Sequence, residues 1–362
     1  YRSSLDVAPM SQHEILKRLA DLHSRIDEIR SGKAGQVDLP TSDAANDKKI
    51  EKIPAQHPIK SRRTLTGHYG KVYAMMWCNP KDSNSTLKTQ LVSASQDGNL
   101  FIWDALEVWK LNQVNLKSPW VLSVGYSPSG RFVSSGGLDN AISIYKVSDE
   151  IELGPEPTAV LRSHNGYITS CGFLALDSAM LTSSGDKLSI LWDVDTQKSV
   201  REFNGHLEDV MCTSPYDENT FVSGSVDSTA KVWDIRAGSC VQTHDGHESD
   251  INAVCVFPDG YAFGSASDDS SCRLFDLRCW NQVNTFSEDN LLCSISSVAF
   301  SKSGRLIFGG CDDFVVRVWD TITGDTLSPL VGHKNQISAV RLNGDGSALC
   351  TASWDMNLIV WA

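Results

Sequence analysis

The chain has 362 residues, of which 41% are hydrophobic and 21% charged, with a formal net charge of −12. That length serves two average domains or one large all-β domain with a sizeable core, and the acidic balance repels phosphate backbones and anionic lipid, which argues against nucleic acid as the main partner. No apolar run reaches the ~18 residues of a membrane span and no signal-peptide pattern is present, so any membrane attachment is expected to come indirectly, through a partner.

The first predicted element is an α-helix within residues 1–30. The stretch SQHEILKRLADLHSRIDEIR, 11–30, spaces Ile15, Leu19, Leu22, Ile26 and Ile29 by alternating steps of four and three, a heptad seam, and Ser11 with Glu14 makes a capping-box start. Two to three heptads are too short to be stable alone, so this amphipathic coiled-coil helix is expected to pair with a partner helix. Burying the five Leu and Ile side chains offers about 7–15 kcal/mol before entropy costs. Residues 31–60, rich in Gly, Pro, Asp and Lys, read as a linker.

From residue 61 the chain repeats. Trp-Asp occurs at 103–104, 192–193, 233–234 and 319–320, with Phe275-Asp276 as a variant, Tyr145-Lys146 at the missing midpoint and Trp361-Ala362 at the end. From Asp193 onward the period is 41 to 44 residues. Each unit carries an alternating apolar run such as KVYAMMW, 71–77, then a run ending in a small-residue turn with Asp, then one ending in the aromatic. Period-2 alternation with β-branched and aromatic enrichment reads as strand, and repeats of this length with this grammar are blades of a WD40 β-propeller. The predicted fold is all-β: a seven-bladed WD40 β-propeller over 61–362, preceded by the coiled-coil helix. Arg63–Thr66 is expected to supply the outer strand of the last blade and so close the ring.

Five units carry a histidine: His68, His164, His206, His247 and His333. Each is followed by a hydroxyl and an acid, Ser93 with Asp97, Thr182 with Asp186, Ser223 with Asp227, Ser265 with Asp269 and Thr351 with Asp355, and then by Trp103, Trp192, Trp233, Phe275 or Trp361. A Ser-His-Asp set is the vocabulary of a hydrolase. One reaction does not need five copies around a ring, whereas a buried hydrogen-bond chain repeated in each blade fixes its tight turn. These residues are therefore expected to be structural, and the two units without histidine keep Asp139 and Asp313. A propeller enzyme would need one irregular blade with a unique cluster, so no catalytic residue, cofactor or metal is expected. The dense stretch GHESDINAV, 246–254, divides accordingly: His247 is scaffold, and Asp250, at the start of the next strand, is free for a cationic partner. The ten cysteines form no C-x-x-C pair, which suits reduced, mostly buried thiols of a cytosolic protein.

A heptad helix joined to a seven-bladed ring resembles the beta subunit of heterotrimeric G proteins. The motifs that carry the resemblance are RRTLTGH at 62–68, SASQDG at 93–98, GGLDN at 136–140, GHESDIN at 246–252, SDDSSCRLFDLR at 267–278, FSKSGRL at 300–306 and SWD at 353–355. The resemblance implies a non-catalytic signal transducer in the receptor-coupled pathway, at the cytoplasmic face of the plasma membrane and in the cytoplasm. It implies a gamma subunit, or a gamma-like domain, held through the coiled coil, and an alpha subunit in its GDP form on the narrow face, released to free effectors. The alpha- and effector-facing positions carried over are Lys71, Tyr73, Trp120, Leu122, Leu138, Asn140, Tyr167, Asp209, Met211, Asp250, Asn252, Asp268 and Trp354. Leu122 stands where the family usually has Met, Gln336 where it often has Arg, and Tyr69, Asn99 and Phe101 also depart from it, which bears on the choice of alpha. The longer loop NPKDSNSTLKTQ, 79–90, reads as tolerated surface. The alternative is another WD40 scaffold or adaptor, which normally lacks the heptad helix.

Overall fold

The computed structural model describes residues 59–80, 86–147, 156–288 and 292–362. The predicted heptad helix, with Ile15, Leu19, Leu22, Ile26 and Ile29, lies outside the described residues, as does the linker up to residue 58. Blade one comprises Val72–Trp77, Gln90–Ser95, Asn99–Asp104 and Trp109–Asn115, each antiparallel to the next. Six more four-stranded sheets follow among the described residues, with first strands Val121–Tyr126, Ile168–Phe173, Val210–Pro215, Ile251–Val256, Ile295–Phe300 and Ile337–Leu342. This is a seven-bladed propeller.

Side-chain size explains the place of each strand. The second strands, such as QLVSAS at 90–95 and TFVSGS at 220–225, are buried from their second residue to their last. Both faces of each sheet are covered by neighbouring blades, so the strand must be apolar or small throughout. Outer strands such as KSVREFN at 198–204 are exposed except at Phe203 and one half-buried neighbour. The core therefore lies between blades: Leu65, Trp77, Leu91, Phe101, Trp103 and Leu358, from blades seven and one, form one cluster.

The first strand of each blade touches that of the next, and the strand of blade seven returns to that of blade one. Ser338 Oγ donates across this last junction to the Val72 carbonyl at 2.7 Å, and Trp77 Nε1 donates to the Arg341 carbonyl at 3.0 Å. The outer strand of blade seven is Ser61–Thr66, two residues longer than predicted, paired antiparallel with Asn357–Trp361. Lys60 and Ala362 exchange backbone hydrogen bonds of 3.2 and 3.1 Å. The ends of the ring are thus joined as one blade, which removes the open sheet edge.

Every blade has a register shift at the same place, near the start of its first strand. The residue at that bulge is Tyr73, Leu122, Thr169, Met211, Asn252, Ser296 or Ser338 in turn. A bulge leaves one residue out of the ladder and re-aims its side chain. The loop read as tolerated surface has structure in its second half: Thr86–Thr89 forms a 3-10 turn, and Leu87 packs against the cluster that contains Val92 and Tyr126. Replacing the fully buried Leu65 by Ala should lower stability by about 2–4 kcal/mol, whereas Arg63→Ala, exposed on the same strand, should cost less than about 0.5 kcal/mol. Denaturant unfolding of the two variants checks this, and equal losses would mean that strand closure does not depend on Leu65.

Candidate functional site

The histidine sets are hydrogen-bonded chains. In blade one, Trp103 Nε1 donates to Ser93 Oγ at 2.8 Å, Ser93 Oγ lies 2.8 Å from His68 Nε2, and His68 Nδ1 lies 3.2 Å from Asp97. An ionised carboxylate only accepts, so Nδ1 carries the proton and Nε2 accepts the serine hydroxyl. The chain runs one way, from indole to hydroxyl to imidazole to carboxylate. Blades three, four and seven repeat it with His164, Thr182, Asp186 and Trp192, with His206, Ser223, Asp227 and Trp233, and with His333, Thr351, Asp355 and Trp361. Blade five keeps His247, Ser265 and Asp269 at 2.6 and 2.7 Å, but Phe275 has no N–H to donate.

Each acid also clamps backbone. Asp97 accepts from the amides of Tyr69 and Asn99, and Asp227 from those of Leu207 and Thr229. Burial alone would raise these carboxyls; the histidine, amide and, at Asp227, Thr229 hydrogen bonds outweigh it and hold both at about 2. Burial keeps His68 and His206 below the ordinary histidine value despite their carboxylate partners.

A rim surrounds the central channel, a cavity of about 620 Å³. Three repeated backbone positions supply the predicted partner-facing residues. Lys71, Trp120, Tyr167, Asp209 and Asp250 immediately precede first strands; Tyr73, Leu122, Met211 and Asn252 sit at the bulges; Leu138, Asp268 and Trp354 open the turns after second strands, with Asn140 in the same turn as Leu138. The first and third positions are adjacent. The amides of Leu138, Asp268 and Trp354 donate to the carbonyls of Trp120, Asp250 and Gln336 at 3.1, 3.0 and 2.9 Å.

Two sectors result. Tyr73 lies between Trp120 and Trp354, with ring centroids 6.3 and 5.8 Å apart, and the Lys71 ammonium sits 3.7 Å from the Trp354 ring centre. Trp120 is 41% exposed and Leu138 50%, whereas Trp354 is half-buried. The two tryptophans therefore form one cluster with Tyr73. The other sector is acidic. Tyr167 Oη donates to Asp209 at 2.6 Å, and Asp268 accepts from Asn252 at 2.5 Å and from Ser294. Burial, then the adjacent Asp268 charge, raises the Asp250 carboxyl; burial, then Asp209, pushes the Tyr167 phenol up to about 12. Asn140 joins neither sector directly and donates to the Asn165 carbonyl at 3.1 Å. Gly185 was not singled out by the sequence reading, yet a Cβ there would lie 2.4 Å from the Tyr167 ring, so the glycine makes room for that side chain.

A family model described as "G protein beta WD-40 repeat protein" matches residues 10–362. The chain belongs to the G protein beta family. It is 45% identical over 318 residues to guanine nucleotide-binding protein subunit beta-5b of Danio rerio, covering 86% of this chain and 79% of the relative. It is 42% identical over 320 residues to the guanine nucleotide-binding protein subunit beta of Oryza sativa subsp. japonica, covering 83% and 82%. Among solved structures, the WD40 beta propeller domain of Doa1 superposes with a TM-score of 0.72 at 21% identity, covering 84% of this chain and 97% of that one, a likeness of fold alone. As a member of the G protein beta family the chain is a non-catalytic, signal-transducing WD40 propeller. The repeated triads accordingly stand as hydrogen-bonded scaffold and not as reaction centres. The one cluster of three metal-ligand-type residues found among the described residues is Cys293, Cys311 and Asp313; His247, Glu248 and Asp250 do not form one.

Two outcomes test the scaffold reading. Ser223→Ala strands both the Trp233 and His206 nitrogens and should cost about 1–3 kcal/mol, while Trp233→Phe, which imitates blade five, should cost about 1 kcal/mol. The reverse order in thermal melts would contradict the chain as drawn. The second outcome is acid sensitivity. His68 and His206 are lowered in the folded state, so their contribution is present above the unfolded value near 6.5 and is lost as pH falls through the folded value. Asp97 and Asp227 contribute above the unfolded value near 3.8 and lose it down to about 2. Stability should therefore fall as pH drops below about 6.5 and again from about 3.8 towards 2, and the first fall should be shallower in a His206→Gln variant.

Proposed function

We propose that this beta subunit binds the GDP form of an alpha subunit on the rim formed by Lys71, Tyr73, Trp120, Leu138, Asp250, Asp268 and Trp354, with Leu122, Asn140, Tyr167, Asp209, Met211 and Asn252 completing the surface. The observation that carries this reading is the aromatic cluster of Tyr73, Trp120 and Trp354 beside an acidic sector at one channel mouth. Packed, partly exposed aromatics supply apolar anchoring at small entropic cost, and the carboxylates select a basic complement. Asp250 and Asp268 repel each other in the free ring, so a cationic partner side chain relieves a strain already present.

A gamma subunit, or a gamma-like domain, pairs with the heptad seam of Ile15, Leu19, Leu22, Ile26 and Ile29, and the linker of residues 31–60 joins that pair to the ring of 61–362. Receptors act on the assembled complex, and effectors take over the rim after alpha leaves. Membrane attachment is through lipidated partners, which accords with the absence of any helix among the described residues long and apolar enough to cross a bilayer. The site of action is the cytoplasmic face of the plasma membrane.

Biolayer interferometry with alpha in its GDP form tests the rim. Trp120→Ala and Asp250→Lys should each weaken binding about 30-fold or more, equivalent to about 2 kcal/mol, with melting temperatures close to wild type. Val200→Ala, exposed on an outer strand, should leave binding unchanged. Unchanged affinity in both rim variants would overturn the assignment. For the helix, Leu19→Asp combined with Leu22→Asp should abolish copurification of gamma, because each places an unpaired charge in an apolar seam; a normal stoichiometric complex would refute the coiled coil.

A further inference from the structure

Blade six departs from the hydrogen-bonded chain of its neighbours. Its second strand, Leu306–Cys311, has Gly309 where blade one has Ser93, so the indole N–H of the fully buried Trp319 finds no partner. No histidine reaches the turn acid either. Arg317 takes that place: its NH1 and NH2 nitrogens donate to the two oxygens of Asp313 at 2.9 and 2.7 Å, and its Nε donates to Glu288 at 3.1 Å. Inside this altered blade are two cysteines. Cys293 precedes the first strand, Cys311 ends the second, and their sulfurs lie within 4.8 Å of each other and of an Asp313 oxygen.

Both thiols belong to the apolar cluster that holds Trp319, Phe286 and Ile295. Cys311 is fully buried, whereas Cys293 is 6% exposed and follows Leu292, whose side chain is almost entirely in solvent. A small oxidant therefore meets Cys293 first. A divalent cation is opposed at the same point, because both Asp313 oxygens are occupied by a guanidinium whose charge repels it.

We propose that Cys293 and Cys311 are a redox-active dithiol which hydrogen peroxide converts to a reversible disulfide. The hydrogen bond from Cys311 holds the Cys293 thiol below the ordinary cysteine value against burial, with Arg317 adding to the effect; that same contact, and burial, push Cys311 up. Cys293 is thus the attacking sulfur and Cys311 the resolving one. The Cys293 thiolate attacks one peroxide oxygen, the O–O bond breaks, and the departing hydroxide leaves as water after taking a proton; Cys293 becomes a sulfenic acid. The Cys311 sulfur then attacks the Cys293 sulfur, the S–O bond breaks, and a second water leaves with the Cys311 proton. Two thiols are oxidised and one peroxide is reduced. The site lies one residue from Ser294, which donates to Asp268 on the rim, but the chemistry does not depend on what binds there.

Peptide mass spectrometry of the full chain, alkylated after exposure to excess hydrogen peroxide, tests the proposal. A peptide cross-linked between Cys293 and Cys311 should form, with loss of two alkylatable thiols, and dithiothreitol should restore both. In Cys311→Ala the reaction should stop at a Cys293 sulfenic acid that dimedone traps, and in Cys293→Ala the Cys311 thiol should stay reduced. Full alkylation of both thiols in the folded, peroxide-treated wild type would overturn the proposal. So would a cross-link of Cys293 to a different cysteine, or one zinc ion per chain bound with both thiols protected.

Discussion

The structure depends on one buried hydroxyl per regular blade. Ser93, Thr182, Ser223 and Thr351 each receive an indole N–H and face an imidazole, and each is wholly shielded from water. Removing that oxygen strands two polar groups in a medium where an unpaired group costs far more than a made bond contributes. The imidazole carries the constraint outward to a carboxylate that clamps two backbone amides. Those amides belong to the segment before the first strand and to the start of the third strand or the residue just before it. Lys71, Tyr167, Asp209 and Asp250 lie just before first strands, and Asp268 and Trp354 just after second strands, so in these histidine-bearing blades the scaffold bonds also position part of the proposed recognition surface; Trp120, Leu138 and Asn140 hold the same places in blade two without the histidine.

This explains how a repeating ring presents a non-repeating face. Backbone geometry at the three rim positions is imposed from within each blade, and the side chains there are free to differ. Blades seven, one and two place Trp354, Tyr73 and Trp120 in contact, while blades four and five carry acids at these positions, Asp209 beside Tyr167 and Asp250 beside Asp268. Blades two and six lack the histidine, and in blade six the Arg317–Asp313 ion pair occupies the turn instead. One altered blade is tolerable because strand closure by Ser61–Thr66 and the packing between blades are shared around the ring.

The sequence made the period, the blade count, the strand that closes the ring and the five histidine chains legible, because each rests on residue types that recur at fixed separation. Residues with chemistry specific to one place were harder to read. Tyr73, Leu122, Thr169, Met211, Asn252, Ser296 and Ser338 share a bulge but no side-chain type, so no pattern marks the position that turns them towards the channel. Trp120 and Trp354 are more than two hundred residues apart in sequence, and only ring closure brings both to Tyr73. The cysteines gave no spacing signal either: Cys293 and Cys311 are brought together by the pairing of Ile295 with Cys311, which depends on the register of that one hairpin.

The shared dependence of scaffold and recognition predicts where a partner protects the ring. Backbone hydrogen exchange, followed with and without an alpha subunit in its GDP form, measures this directly. Exchange should slow at the segments around Lys71–Tyr73, Trp120–Leu122, Leu138–Asn140, Asp209–Met211, Asp250–Asn252, Asp268 and Trp354, and stay unchanged in outer strands such as Lys198–Asn204. Protection confined to the outer strands, with the channel rim exchanging as in the free ring, would contradict it.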